Sequence, residues 1–150
     1  GVHVLSPALL DRVPDRPFEA DVNRHVYPPL MASGAVRGLP VEGYWNDLGT
    51  PARYLQASAD LLAGRVPLGR FAGLDPLAGT RALAPGVRAA ASARVDPAAR
   101  LAAPVFVGER CVVPAGAEVE DAILWEGTAL APGEVVRHAV AAGAERLSAR

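Results

Sequence analysis

The chain has 150 residues, which is enough for one ordinary domain or for two smaller units. Apolar residues make up 51% of it, a share that excludes an intrinsically disordered chain, while 15 glycines and 14 prolines indicate frequent turns. The formal net charge is only -1 and no basic or acidic block occurs, which argues against a nucleic acid or an anionic membrane surface as a partner.

Residues 1–64 have the pattern of a mixed α/β unit. The β-branched content of Gly1–Leu5 predicts a strand, and Ser6 followed by Pro7 predicts a short helix that ends before Pro14. A second helix is predicted from about 21 to 33, interrupted by its two prolines and ended by Gly34.

The stretch 35–45 is predicted to form two short strands, with glycines and a proline marking the bends between them. The clearest helix follows: Thr50 is its predicted cap, Pro51 takes its first position and Gly64 ends it. Its apolar stripe consists of Tyr54, Leu55, Leu61 and Leu62.

A hexapeptide repeat begins near residue 83, after a connecting segment at 65–82 that has no sustained period. The repeating aliphatic residues are Leu83, Ala89, Val95, Leu101, Val107, Val113 and Val119, then, after a one-residue deletion, Leu124, Leu130 and Val136. Smaller residues fill a second inward position at Ala99, Val105, Cys111, Ala117 and Thr128. The period predicts triangular coils over 83–150 whose stacked interior is aliphatic. The alternative is a β-sandwich with evenly spaced strands, against which the unbroken spacing through residue 119 argues.

The segment 43–51, Gly-Tyr-Trp-Asn-Asp-Leu-Gly-Thr-Pro, joins the predicted strands to the capped helix. Its Asp47 lies where a strand ends, and α/β proteins usually bind ligands at that edge of a sheet. A carboxylate in such a place can ligate a hard cation. The alternative is that Asp47 only holds backbone amides in a turn, and spacing alone does not decide between the two.

Two stretches of the sequence, 1–7 and 44–51 with Tyr54, Ala57 and Leu61-Leu62, resemble the sugar-nucleotide pyrophosphorylases, especially the mannose-1-phosphate guanylyltransferases and their glucose-1-phosphate relatives. The hexad region resembles the left-handed parallel β-helix tail of that family. The resemblance therefore implies the α/β C-terminal part of a nucleotidyltransferase domain followed by this β-helix. The left-handed sense of the coil comes from the family alone.

The resemblance implies that Asp47 helps to ligate a catalytic Mg²⁺ and that Gly1 lies near the bound sugar. The expected reaction joins a sugar 1-phosphate to a nucleoside triphosphate, GDP-mannose is the favoured product, and the β-helix is expected to mediate homo-oligomer formation. The family's glycine-rich N-terminal loop has no counterpart here, and the first residue is not Met, so we expect a fragment that is inactive alone.

Two other functions stay open at this stage. A hexapeptide-repeat acyltransferase would share the β-helix and use a histidine as general base, although it has no need of the 44–51 segment. A regulatory subunit would keep the shape of a pyrophosphorylase without its chemistry.

The remaining reactive residues favour structural roles. His3, His25 and His138 share no metal-ligand spacing, and Cys111 is predicted to be a buried apolar group. Arg88, Arg94, Arg100 and Arg110 are expected on solvated faces of the coil. One cysteine fits a reducing compartment, and no apolar run approaches the roughly 20 residues of a membrane span, so we predict a cytoplasmic location and no membrane partner.

Overall fold

A computed structural model describes residues 2–13, 21–70, 73 and 75–149 of the chain. The chain divides into two compact units, Gly1–Glu42 and Gly43–Arg150. In the described ranges, no helix combines the length and the apolar character that crossing a membrane requires.

The first unit is helical where it is regular. Its elements are a 3-10 helix at Pro7–Arg12, a π-helical turn at Val22–Val26 and helix α1 at Tyr27–Ala32. The π turn runs directly into Pro28 and Pro29, which have no amide hydrogen for an ordinary helical turn, so the predicted interruption takes this form. Gly34, at φ 73, ends α1 as predicted.

The strands predicted within 1–5 and 35–45 are wrong for the residues described. The backbone at 2–5 and 35–45 has no strand pairing, and the apolar side chains Val2, Val4, Leu39 and Val41 are exposed. β-Branched residues raise strand propensity, but a strand exists only when a neighbouring strand completes its hydrogen bonds. Pro40, in addition, has no amide hydrogen to donate to a ladder.

The second unit contains one long helix and all eight strands of the described chain. Helix α2 spans Pro51–Leu62, and a 3-10 helix spans Leu68–Arg70. The strands are β1 (Thr80–Ala84), β2 (Val87–Ala90), β3 (Arg94–Val95), β4 (Arg100–Val107), β5 (Val112–Val113), β6 (Glu118–Leu124), β7 (Val135–Ala142) and β8 (Glu145–Ser148).

Strands β2 to β7 wind into a parallel β-solenoid, which confirms the predicted repeat architecture. Sheet order β2-β4-β6-β7 skips strands because each coil stacks on the one before it, and β3 pairs with β5 on a separate face. At both ends the pairing turns antiparallel: β1 covers β2 and β8 covers β7. The last coil is therefore covered by a paired strand.

The one-residue deletion in the repeat falls at a corner of the coil. Val87 pairs with Val105, eighteen residues on, whereas Val119 pairs with Val136, seventeen residues on. Ladder pairs on either side of the corner leave Asp121 alone opposite two residues of β4. The backbone of Asp121 turns this shorter corner at φ 42, a left-handed conformation that aspartate tolerates better than most residues.

The interior of the solenoid is aliphatic, as the repeat predicted. Seven of the ten predicted period residues are buried, namely Ala89, Val107, Val113, Val119, Leu124, Leu130 and Val136. Val95 and Leu101 pack against them, and the accessory positions Val105, Cys111, Ala117 and Thr128 are buried as well. Leu83 is the exception at 40% exposed, because β1 is an antiparallel edge strand that precedes the first coil.

Helix α2 packs on an outer face of the solenoid. Leu55 contacts Ile123 of β6 and Val140 of β7 in a small buried cluster, flanked by the half-buried rings of Tyr54 and Phe106. This contact fixes the helix against the coils.

Candidate functional site

The loop before α2 is shaped by hydrogen bonds to the first turn of that helix. The Asn46 side chain accepts from the amide of Leu48 at 2.9 Å and donates to the carbonyl of Arg53 at 3.3 Å. Thr50 caps the helix as predicted, since its hydroxyl accepts from the amide of Arg53 at 3.2 Å. The loop and the helix end therefore form one local unit.

Asp47 lies in this loop with both carboxylate oxygens engaged. Oδ1 accepts from the amide of Gly49 at 3.3 Å, and Oδ2 forms an ion pair with the guanidinium of Arg53. The side chain is 41% exposed. The hydrogen bond from Arg53, followed by that from Gly49, lowers the pKa of the Asp47 carboxyl below its ordinary value. Asp47 is therefore an accessible anion at neutral pH, as a cation ligand must be.

The described residues supply only part of a magnesium site. No group of three or more His, Cys, Asp or Glu side chains in the described ranges is placed to hold a metal ion. Mg²⁺ is held by one or two carboxylates together with phosphate oxygens and water. Asp47 fits one such position if Arg53 shares or releases the carboxylate, and the other ligands must come from the substrate or from elsewhere.

Tyr44 supports the same loop from the opposite end of α2. Its hydroxyl donates to Oδ2 of Asp60 at 2.9 Å, and Asp60 also accepts from Gln56 and Arg65. Burial, followed by the contact with Asp60, raises the pKa of Tyr44 above its ordinary value. The tyrosine therefore stays a neutral donor that ties the start of the loop to the last turn of the helix.

Each of the other sequence candidates that the structure describes has contacts of its own. Gly1 lies outside the described residues. His3 stacks on Tyr27 at 5.5 Å between ring centroids. His25 accepts from the amide of Asp21 at 3.1 Å. Cys111 is buried as predicted, and burial raises the pKa of its thiol, which makes it a poor nucleophile.

Two contacts were missed by sequence reasoning. Nδ1 of His138 lies 2.8 Å from Oδ2 of Asp121 on the adjacent coil, because the shorter coil places these residues in register. Trp125 meets Tyr54 of α2, with its indole N–H 3.2 Å from the tyrosine hydroxyl. The only signal for the second contact was a large aromatic residue inside a repeat of small aliphatic ones.

No family model matches the chain. Individual relatives do. A mannose-1-phosphate guanylyltransferase of Mycobacterium tuberculosis is 31% identical over 138 residues, which are 91% of this chain and 36% of that protein. The chain is related to the sugar-1-phosphate nucleotidyltransferases.

Two further relatives of this group differ in how much of the chain they cover. A mannose-1-phosphate guanyltransferase of Schizosaccharomyces pombe is 34% identical over 37% of this chain and 15% of its own length. A UTP--glucose-1-phosphate uridylyltransferase of Synechocystis is 22% identical over 89% of this chain and 37% of its own length. The chain thus spans little more than a third of the length of the M. tuberculosis and Synechocystis proteins.

Proposed function

We propose that this chain serves a nucleotidyltransferase that makes a nucleoside-diphosphate sugar and pyrophosphate from a sugar 1-phosphate and a nucleoside triphosphate. The observation that carries the proposal is the match to the M. tuberculosis guanylyltransferase along 91% of the chain, a stretch long enough to include the Asp47 loop, α2 and most of the solenoid. GDP-mannose is the proposed product, because the guanylyltransferases of M. tuberculosis and S. pombe match at 31% and 34% identity, against 22% for the uridylyltransferase. The uridylyltransferase match makes a UDP-sugar the second choice.

In the proposed reaction an oxygen of the sugar phosphate attacks the α-phosphorus of the triphosphate. A new P–O bond forms, the bond to the bridging oxygen of the β-phosphate breaks, and pyrophosphate leaves with that electron pair. Such a transfer depends on positioning and on charge stabilisation more than on covalent work by the protein. A bound Mg²⁺ would neutralise phosphate charge.

Asp47 is the residue of this chain that we assign to the metal. It is anionic, accessible and placed at the N-terminal end of a helix that is packed against the solenoid. The ion pair with Arg53 holds the Asp47 carboxylate beside the first turn of the helix. Gly1 as a sugar contact stays a proposal that rests on the resemblance. The division of the chain at 1–64, 65–82 and 83–150, which rests on the change of sequence pattern, and self-association through the Ala- and Val-rich faces of the solenoid stay proposals as well.

Replacing Asp47 by Asn in the intact protein tests the proposal. The change preserves the shape of the side chain and removes its charge, so turnover of GTP and mannose 1-phosphate to GDP-mannose and pyrophosphate is expected to fall about a hundredfold or more. Thermal stability is expected to change little, since the carboxylate is half-exposed. Pyrophosphate release, measured over a range of Mg²⁺ concentrations, gives the result, and UTP with glucose 1-phosphate in parallel decides the product.

Asp96→Asn is the matched control. Asp96 makes the same kind of turn, accepting from the amide of Ala98 at 2.8 Å, but it lies in a corner of the solenoid. If both variants kept near-normal turnover and magnesium dependence, Asp47 would be only a turn residue. If the unaltered protein itself released no pyrophosphate, the result would favour a non-catalytic regulatory subunit over an enzyme.

One observation favours the acyltransferase alternative. His138 has a carboxylate partner on Nδ1, and a carboxylate in that place is the usual means of orienting an imidazole that acts as a general base. The pair borders a groove of about 610 Å³ that is also lined by Gln56 and Arg65. Assaying the same preparations for acetyl transfer from acetyl-coenzyme A separates the two functions, and we expect none.

A further inference from the structure

Trp125 links the solenoid to the helix that carries the candidate metal loop. Its indole N–H donates to the hydroxyl of Tyr54 at 3.2 Å. The two rings meet edge to face, at 6.2 Å between centroids and an interplanar angle of 84°. Edge-to-face packing and a hydrogen bond together define the relative orientation of the two side chains more closely than apolar contact alone.

The backbone of Trp125 is held by the coil. Its amide donates to the carbonyl of Ala141 on the next coil at 2.8 Å, and its own carbonyl accepts from the thiol of Cys111 at 2.9 Å and from the amide of Thr128 at 3.1 Å. Cys111 and Thr128 are both fully buried. The indole therefore projects from a fixed point of the solenoid.

Tyr54 connects Trp125 to the loop that contains Asp47. It follows Arg53, the partner of Asp47, and its amide donates to the carbonyl of the cap residue Thr50 at 2.9 Å. Apart from the contact of Tyr44 with Asp60 at its start, the loop around Asp47 is bonded only to itself and to this first turn among the contacts described. The placement of the first turn therefore determines where the Asp47 carboxylate stands.

We propose that Trp125 and Tyr54 are positioning residues for Asp47, through which the solenoid sets the affinity of the reaction centre for Mg²⁺. This inference rests on the proposed function. It gives the solenoid a role in the chemistry, because removal of one hydrogen bond on its surface loosens the first turn of α2 and, with it, the metal ligand.

The test compares Trp125→Phe, Tyr54→Phe and the double variant in the intact protein. Each single change keeps an aromatic ring and removes one partner of the hydrogen bond. The Mg²⁺ concentration that gives half-maximal turnover is expected to rise about threefold to tenfold, the effect of one neutral hydrogen bond, while kcat at saturating Mg²⁺ changes much less. The double variant is expected to be no worse than either single one, because both remove the same interaction.

A second measurement does not depend on activity. Hydrogen exchange of the amides at 48–54 is expected to speed up in both single variants. Leu101→Ala is the matched control, because Leu101 packs against the solenoid interior. The comparison is made where its loss of melting temperature equals that of the aromatic variants. We expect it to change neither the hydrogen exchange at 48–54 nor the Mg²⁺ requirement.

Unchanged exchange and Mg²⁺ requirement in both aromatic variants, or equal changes in Leu101→Ala, would overturn the positioning role. Asp47→Asn measured alongside separates this failure from that of the proposed function. If Asp47→Asn alters the Mg²⁺ dependence and the aromatic variants do not, only the positioning role is wrong. If Asp47→Asn leaves it unaltered, the metal assignment is wrong and the positioning role falls with it.

Discussion

The interior of the solenoid and the outer face under α2 are built in different ways. The interior is a continuous stack of aliphatic side chains in which Thr128 is the one buried polar residue of the described chain, and its hydroxyl is bonded to the backbone of Ala141 and Gly143. The outer contact has three buried side chains and a polar aromatic pair. The interior stabilises the coils themselves, whereas the outer contact fixes the position of the Asp47 loop.

The largest effect is expected from a charge in the interior. Val113→Asp places a carboxylate among aliphatic side chains, where it has no partner, and should cost at least about 3 kcal/mol and melt the solenoid. Its neighbour Val112 points outward and is 38% exposed, so Val112→Asp is the matched control. Thermal unfolding followed by circular dichroism measures both. Equal melting temperatures for the two variants would contradict the inward assignment of Val113.

A smaller and more local effect is expected at the outer contact. Leu55→Ala removes the central side chain of the three-residue cluster and should cost about 2–3 kcal/mol. The loss should appear as faster hydrogen exchange in α2 while the solenoid ladders keep their protection. Leu83→Ala is the control, because Leu83 is exposed on β1 although the repeat placed it inward. A large loss of stability in Leu83→Ala would show that β1 belongs to the core.

The solenoid could be predicted from the sequence because its partners recur at a short, fixed spacing along the chain. The same holds for α2, whose start and end depend on Thr50, Pro51 and Gly64 and on neighbours only a few residues away. The strands predicted at 1–5 and 35–45 failed for the opposite reason. A strand needs a partner that its own residues do not specify.

The candidate site divides in the same manner. A turn at Asp47 and a cap at Thr50 are local, and the sequence pattern identifies both. The contact between Tyr54 and Trp125 joins residues 71 positions apart, and it follows from how α2 lies on the coils. Likewise, Asp121 meets His138 only because one coil is a residue shorter than the one before it. Neither contact could be predicted from the spacing of residues that are close together in the sequence.

The smallest effect is expected at the C-terminal end of the solenoid, where polar contacts hold β8 on the last coil. Glu134 accepts from the amide of Ala131 at 2.8 Å and from the guanidinium of Arg146 at 2.9 and 2.7 Å. The bond from Ala131, followed by that from Arg146, lowers the pKa of Glu134 below its ordinary value of 4.5. The interior, by contrast, contains no carboxylate among the described residues and gives no pH dependence of this kind.

A depressed folded-state pKa means that Glu134 stabilises the fold above pH 4.5, and that this contribution is lost as the pH falls below 4.5 and through the lower folded-state pKa. Glu134→Gln should therefore lower the melting temperature at neutral pH by an amount worth less than about 1 kcal/mol, because part-exposed ion pairs contribute little. The gap to the unaltered protein should close as the pH falls through the lowered folded-state pKa of Glu134, where the glutamate itself becomes neutral. Glu109→Gln is the control, since Glu109 is 68% exposed and 3.9 Å from its nearest arginine, and its melting temperature should follow that of the unaltered protein throughout. A gap for Glu134→Gln that stayed constant from neutral to acid pH would mean that the side chain acts by packing alone, and that β8 is held by its backbone ladder with β7 without help from the charge pair.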